Sequence, residues 1–217
     1  MAARPLRIVL FGASGNIGSR ILHEALARGH RVTAAMRDPS KIGMQHPDLR
    51  AVRADATDPV SVAAVARGHD VVASAVSPAG VQPQMLAQAA RSLMQGCRDA
   101  GVARLAVVGG AGSLEVAPGV KLLDTPEFPA DWRPVGLAHW DALREFRVKG
   151  AGLDWTFVSP SARIAPGART GKFRLGTDQL LVDPRGNSRI SMEDYAVAFV
   201  DELEHGQNKG RRMTVGY

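Results

Sequence analysis

The chain has 217 residues, 45% of them apolar and 22% charged, which suits one domain with a full hydrophobic core. Its 27 Lys and Arg against 21 Asp and Glu give a formal charge of +6. That balance favours anionic ligands, but the cations are scattered with no basic run or interleaved aromatic platform, so nucleic acid is excluded as the main partner. No apolar run approaches the ~20 residues of a membrane helix, so no membrane partner is expected.

Short apolar runs alternate with helical patterns along the first half. Residues 6–11 (LRIVLF), 31–36, 49–55, 70–76 and 104–110 read as strands. Residues 16–30, 60–68 and 83–101 read as helices, the first with Ile17, Ile21, Leu22, Ala25 and Leu26 on one stripe. Strand-helix alternation implies right-handed crossovers and a parallel, doubly wound α/β sheet of Rossmann type. Residues 111–133 are rich in Gly, Pro and Asp and read as a long loop or a few short turns, a length usually reserved for function. A helix is expected at 135–152, a sixth strand at 154–160 and a hairpin at 167–183. A helix capped by Ser191 follows at 191–205, then a last strand at 211–217. No repeat or linker divides the chain, so residues 1–217 are expected to form a single Rossmann-type domain. The opening stretch reads as a strand rather than a signal peptide, and Cys97 is the only cysteine. An internal disulfide is therefore excluded, and a reducing cytoplasm is the expected compartment.

The first strand runs into Gly12-Ala13-Ser14-Gly15-Asn16-Ile17-Gly18. The spacing is GxxGxxG rather than GxGxxG, but the chemistry is shared. A tight turn is followed by close approach of backbone N–H groups to a diphosphate at a helix N-terminus. A glycine triplet alone is weak evidence; this one follows the first strand and opens a helix, as the motif requires. The end of the second strand selects the nucleotide, because the adenosine ribose lies there. In "MRDPSK", Arg37 and Lys41 suit a 2′-phosphate, whereas Asp38 argues for a 2′-hydroxyl unless it caps the following turn. NADP(H) is therefore preferred, with NAD(H) possible. Asp55, beside Ala56, is placed to meet the adenine amino group or, alternatively, to cap the next helix. Ala75, Val76 and Ser77 in "SAVSPAG" (74–80) end the fourth strand at the crevice.

The stretches "FGASGNIGSR", "MRDPSK", "ADATDP" and "VVGGAGSLEVAPG" together resemble the atypical short-chain dehydrogenase/reductases, specifically the NmrA-like NAD(P)H-binding proteins. "LDWTFVSPSARIAPGARTGKFRLGTDQLLVDPRGNSRISMEDYAVAFVDELE" resembles the C-terminal half of the same group, which includes biliverdin-IXβ/flavin reductases. The resemblance implies a Rossmann fold with a small C-terminal substrate lobe, here mainly 111–135 and 160–190. It extends the expected cofactor contacts to Gly109, Gly110, Ser159, Pro160 and Ser161. It also implies a range of activities, from quinone and flavin reductases to sensors that bind the dinucleotide without turnover.

Most short-chain dehydrogenases use Tyr-x-x-x-Lys, in which the phenol is the proton donor. Here Tyr195 is followed four positions later by Phe199, and Tyr217 is the last residue, so the motif is absent. His139 in "LAHWDALR" is the best alternative acid, with a reference pKa near ~6.5. Ser113 is a candidate to orient a substrate oxygen. Trp132, Trp140 and Phe128 are candidates for an aromatic substrate wall, and no histidine pair has metal-ligand spacing. A flavin or quinone takes hydride readily and water can supply the proton, so the missing acid does not exclude reduction. The leading expectation is an NADPH-dependent reductase of a small conjugated acceptor, acting as a monomer or homodimer. A non-catalytic NADP(H) sensor is the alternative, and a sugar-nucleotide epimerase, which also needs the absent Tyr/Lys pair, is a third.

Overall fold

Continuous apolar runs belong to strands covered on both faces. The computed structural model, which describes residues 4–77 and 84–217, places each such run in a central sheet. In chain order the elements are β1 (Arg7–Phe11), α1 (Asn16–Ala27), β2 (Arg31–Met36), β3 (Leu49–Arg53), α2 (Pro59–Ala66), β4 (Val71–Ser74), α3 (Met85–Ala100) and β5 (Arg104–Val108). The second half holds β6 (Glu115–Ala117), β7 (Val120–Lys121), α4 (Arg133–Lys149), β8 (Asp154–Pro160), β9 (Arg163–Ala165), β10 (Arg174–Gly176), β11 (Arg189–Ser191), α5 (Met192–His205) and β12 (Arg211–Gly216).

The main sheet has the order β10-β12-β8-β5-β4-β1-β2-β3. All its ladders are parallel except β10 against β12. This is the Rossmann-type doubly wound fold with a C-terminal extension. The winding reverses between β1 and β4, which opens a crevice at their carboxyl ends. Side chains of β1 divide by the period of two: Ile8 and Leu10 join the core under α1 and α5, and Val9 and Phe11 the core under α2, α3 and α4. Among the described residues no helix is long and apolar enough to cross a membrane.

One expectation needs correction. Residues 167–183 do not form a hairpin. Only Arg174–Gly176 is strand, and it pairs with β12 rather than with a local partner. The stretch 111–133 holds short 3-10 turns at Leu122–Asp124 and Ala130–Trp132, as expected, and adds a small antiparallel ribbon of β6 and β7 that was not. The pairing of β9 with β11 was not expected from the sequence.

Helices α2 and α3 meet at Gly96, where an added Cβ would lie 2.5 Å from Val62 Cβ and 2.9 Å from the Ala63 amide nitrogen. Alanine raises helix propensity by about 1 kcal/mol over glycine, but overpacking costs about 1–3 kcal/mol. Packing wins: Gly96→Ala is expected to lower stability by roughly 1–2 kcal/mol, read from the urea midpoint at unchanged m.

Candidate functional site

The three glycines of the first loop do different work. Gly12 turns the chain with φ +77, and a Cβ there would sit 2.6 Å from the Ala75 carbonyl oxygen at the end of β4. Gly18 lets α1 rest on the turn, since its Cβ would lie 2.0 Å from the Gly12 oxygen. Gly15 is different: an added Cβ would meet only that oxygen, at 3.4 Å, and the residue borders open cavity. Gly18 and Ala13 do not line the cavities; Ala13 is buried in the α1–α5 core. Their expected part in cofactor contact is therefore corrected to shaping the loop.

Gly15 occupies the N-cap of α1 and has no side chain to cap it, whereas Asp58 and Ser191 cap α2 and α5 through side-chain oxygens. The first backbone bond into α1 is Ser19 N–H to Gly15 O, at 2.8 Å. The described residues supply no acceptor for the Asn16, Ile17 and Gly18 amides. A helix start left open in this way attracts anions.

Two cavities meet at Ser14, Gly15 and Ala75–Ser77. The smaller, about 290 Å³, is lined by Arg37, Asp38, Lys41, Asp55, Ala56 and Thr57, with Met36 and Met85, which sequence reasoning missed. Arg37 is exposed and makes no hydrogen bond or ion pair with the described residues. Asp38 is already engaged: its Oδ1 accepts from Ser40 Oγ at 2.7 Å and from the Ser40 amide at 3.2 Å. The Ser40 hydroxyl holds the Asp38 carboxyl below the usual carboxylate range. Asp55 does not cap α2, since Asp58 does. Its Oδ1 accepts from Thr57 N–H at 2.8 Å and Thr57 Oγ1 at 2.7 Å, fixing the carboxylate at the cavity edge.

The larger cavity, about 540 Å³, runs from Ser14–Ile17 past Gly109 and Gly110 to Phe128, Trp132, Val135 and His139, and across to Pro160, Ser161 and Ile164. Close packing shapes its wall. A Cβ on Gly109 would lie 2.2 Å from the Phe157 ring, and one on Gly110 would lie 2.8 Å from His139 Cγ. The imidazole therefore fills the place that a side chain at 110 would need. His139 is partly exposed on the cavity side, and burial pushes its pKa down from 6.5 to about 4. Its ring is neutral at pH 7, so the imidazolium acid expected from the reference value is not available.

Several candidates lie elsewhere. Trp140 does not line the cavity; one helical step from His139, it packs under Lys121 and Arg147, whose cations lie 5.2 and 5.8 Å from its ring centroid. Ser113 is buried, and its Oγ accepts from Arg212 Nη1 at 2.9 Å, so it faces the strand below rather than a substrate. Ser159 is fully buried inside β8 and lines neither cavity. Ser161 borders the cavity while its Oγ donates to the Val215 carbonyl. Tyr195 is buried and donates to the Val158 carbonyl at 2.6 Å, and the Tyr217 hydroxyl donates to Asp194 at 2.7 Å. Neither phenol reaches the cavity. Ala75, Val76 and Ser77 line both cavities, whereas the expected crevice residues 78–80 lie outside the described residues. Val135 and Gly136 were missed, although their spacing one helical turn before His139 was a usable signal.

The residues present fit a dinucleotide. An open glycine borders the junction of the cavities, the Asn16 and Ile17 amides beside it find no acceptor among the described residues, and Arg37 at the end of β2 pairs with none of them. Comparisons with known proteins agree. A crystal structure of a candidate exported protein from Burkholderia pseudomallei is 51% identical, with 98% of this chain and 100% of that one covered and a TM-score of 0.90. A candidate epimerase from Bacteroides thetaiotaomicron is 43% identical over 99% of this chain and 98% of its own, at TM-score 0.91. A candidate NADH-flavin reductase from Streptococcus pneumoniae TIGR4 is 32% identical over 97% and 99%, at TM-score 0.84. The NAD(P)H-binding family profile matches residues 12–205, and the chain belongs to that NAD(P)H-binding family.

Proposed function

We propose that the protein is an NADPH-dependent reductase of a flat conjugated acceptor of quinone or flavin type, an atypical, NmrA-like short-chain reductase. The observation that carries this reading is the larger cavity. It is continuous with the glycine loop, walled by Phe128 and Trp132, and its one titratable lining group among the described residues, His139, is neutral. Reduced nicotinamide, when bound, supplies hydride. The chain's own residues orient and enclose. The α1 amides hold the diphosphate, Arg37 and Lys41 take the 2′-phosphate, and Asp55 meets the adenine edge. Segments 111–135 and 160–190 serve as the substrate lobe, with Phe128 and Trp132 flanking the acceptor ring. A quinone or flavin needs no protein acid, because solvent protonates its reduced form. Such acceptors therefore suit a site whose phenols are both committed to internal bonds. The flavin-reductase relative supports this reading. The epimerase relative points elsewhere, but an epimerase needs a Tyr/Lys pair that this chain lacks.

The direct test is loss of nicotinamide absorbance with a panel of quinones and flavins. Tight NADPH binding without turnover of any acceptor would instead indicate a dinucleotide sensor. Gly15→Val is expected to weaken NADPH at least about 100-fold while the melting temperature stays near that of the parent, since its Cβ meets no clash. Unchanged affinity by calorimetry would remove the loop from the site. Arg37→Ala is expected to weaken NADPH by roughly 1.5–3 kcal/mol and NADH far less, because only NADPH loses a charge-assisted phosphate contact. Equal losses would show that Arg37 does not read the 2′-phosphate.

His139 generates a pH prediction. In the unfolded chain it takes a proton near 6.5, in the fold only near 4. Between those values the unfolded state binds more protons, so this residue's contribution to stability falls as pH drops through the window. His139→Gln is expected to flatten the decline of the urea midpoint between pH 6.5 and 4. In the parent, the His139 ring resonance is expected to titrate near the lower value. Titration near 6.5 would return the imidazolium acid to consideration.

A further inference from the structure

Outside the glycine loop, the wall of the larger cavity is built from apolar and uncharged side chains, among them Leu122, Phe128, Trp132, Val135, Ile164 and Met192. Of the ionisable residues beside these positions, Glu127 and Asp131 are exposed and anionic, and three others are engaged elsewhere. Lys121 pairs with Asp124 at 3.1 Å, Arg133 donates to the Leu123 carbonyl, and Glu193 pairs with Arg20 at 3.2 Å. Ile164 lines the cavity, so the alternation of β9 sends Arg163 to the opposite face. The contrast lies within one continuous space. The smaller cavity offers Arg37 and Lys41 to an anion, and the open Asn16 and Ile17 amides border the larger one beside the glycine loop, while the rest of the larger offers rings, methyl groups and a few hydroxyls.

We infer that this wall selects acceptors whose reacting ring system carries no charge, and rejects isosteric rings bearing a sulfonate or carboxylate. The inference rests on the reductase reading and deepens it. A charge taken from water into an apolar cavity loses its hydration without gaining a counter-ion or strong donors, and that loss is large even when part of the ligand stays wet. The neutral His139 ring adds no compensating cation near pH 7. The distinction concerns charge on the ring itself, because a charge on a long flexible arm can remain in solvent.

The test compares 1,4-naphthoquinone with its 2-sulfonate on the full chain, by NADPH oxidation and by calorimetric binding to the protein saturated with tetrahydro-NADPH, whose ring is uncharged and passes no hydride. The uncharged quinone is expected to show a kcat/KM at least about 100-fold higher and to bind at least about tenfold tighter, the scale set by an uncompensated charge. Equal values for the pair overturn the inference while leaving the reductase reading intact. If neither quinone is turned over, the reductase reading fails and calorimetry decides the cavity's selectivity. In that case equal affinities overturn the inference and weaker sulfonate binding sustains it. Val135→Arg places a cation on the partly exposed rim of the wall. It is expected to narrow the gap about tenfold by raising sulfonate affinity. An unchanged gap in a folded variant would mean that discrimination arises elsewhere, and would overturn the assignment to this cavity.

Discussion

The carboxyl end of the sheet depends on how closely the backbone of α1 meets the ends of β1 and β4. The contact is made by Gly12 against Ala75 and by Gly18 against the Gly12 carbonyl, distances that leave no room for a Cβ at either glycine. This close seat aims the uncapped start of α1 at the crevice. It also fixes Ala75–Ser77, which line both cavities. A helix capped by its own side chain, as α2 and α5 are, would have satisfied its amides internally. Leaving α1 open makes the start of the helix a place for an external anion.

A second set of close contacts shapes the acceptor side. Gly109 lies under Phe157, Gly110 under His139, and Gly112 faces Gly136, where an added Cβ would be 3.2 Å from the opposing Cα. The exit of β5 is thus held against β8 and α4 by rings that fill the space side chains at 109 and 110 would take. The loop beyond is clamped from below. Arg212, almost fully buried in β12, donates to the Ser113 carbonyl and hydroxyl and to Asp178, and Asp178 also receives Arg147 from α4. The wall at Ala111 and Gly112 therefore rests on an ionic anchor reaching across the fold, while its cavity-facing surface stays apolar.

Legibility in the sequence followed the range of the interactions. The central strands and the start of α5 were readable because a buried parallel strand is a continuous apolar run, and because Ser191 caps its helix locally. The glycine loop was readable because its demands are local. What failed was non-local. The 167–183 stretch has hairpin-like composition, but nothing within it reveals that β10 pairs with β12 some forty residues later in the chain. The three-residue ladder of β9 and β11 is too short to carry a period. Ser113 was a candidate to orient a substrate oxygen because Arg212, which holds it, lies 99 positions away. Trp140 was assigned to the substrate wall on residue type, although the helical step from His139 carries it toward Lys121 and Arg147. The depressed pKa of His139 comes from packing that composition does not record.

The place of β12 has a consequence for biosynthesis. Residues 211–216 form an interior strand between β8 and β10, yet they are made after every other strand of the sheet. Domains fold as synthesis proceeds, but here β8 waits beside the growing core with one edge unpaired until the final stretch emerges. An unpaired edge flanked by apolar surface is a template for association with other chains. The interval between the emergence of β8 and the docking of β12 is therefore a period in which a nascent chain is exposed to misassembly. A ribosome stalled within that interval would present an open sheet edge to its neighbours.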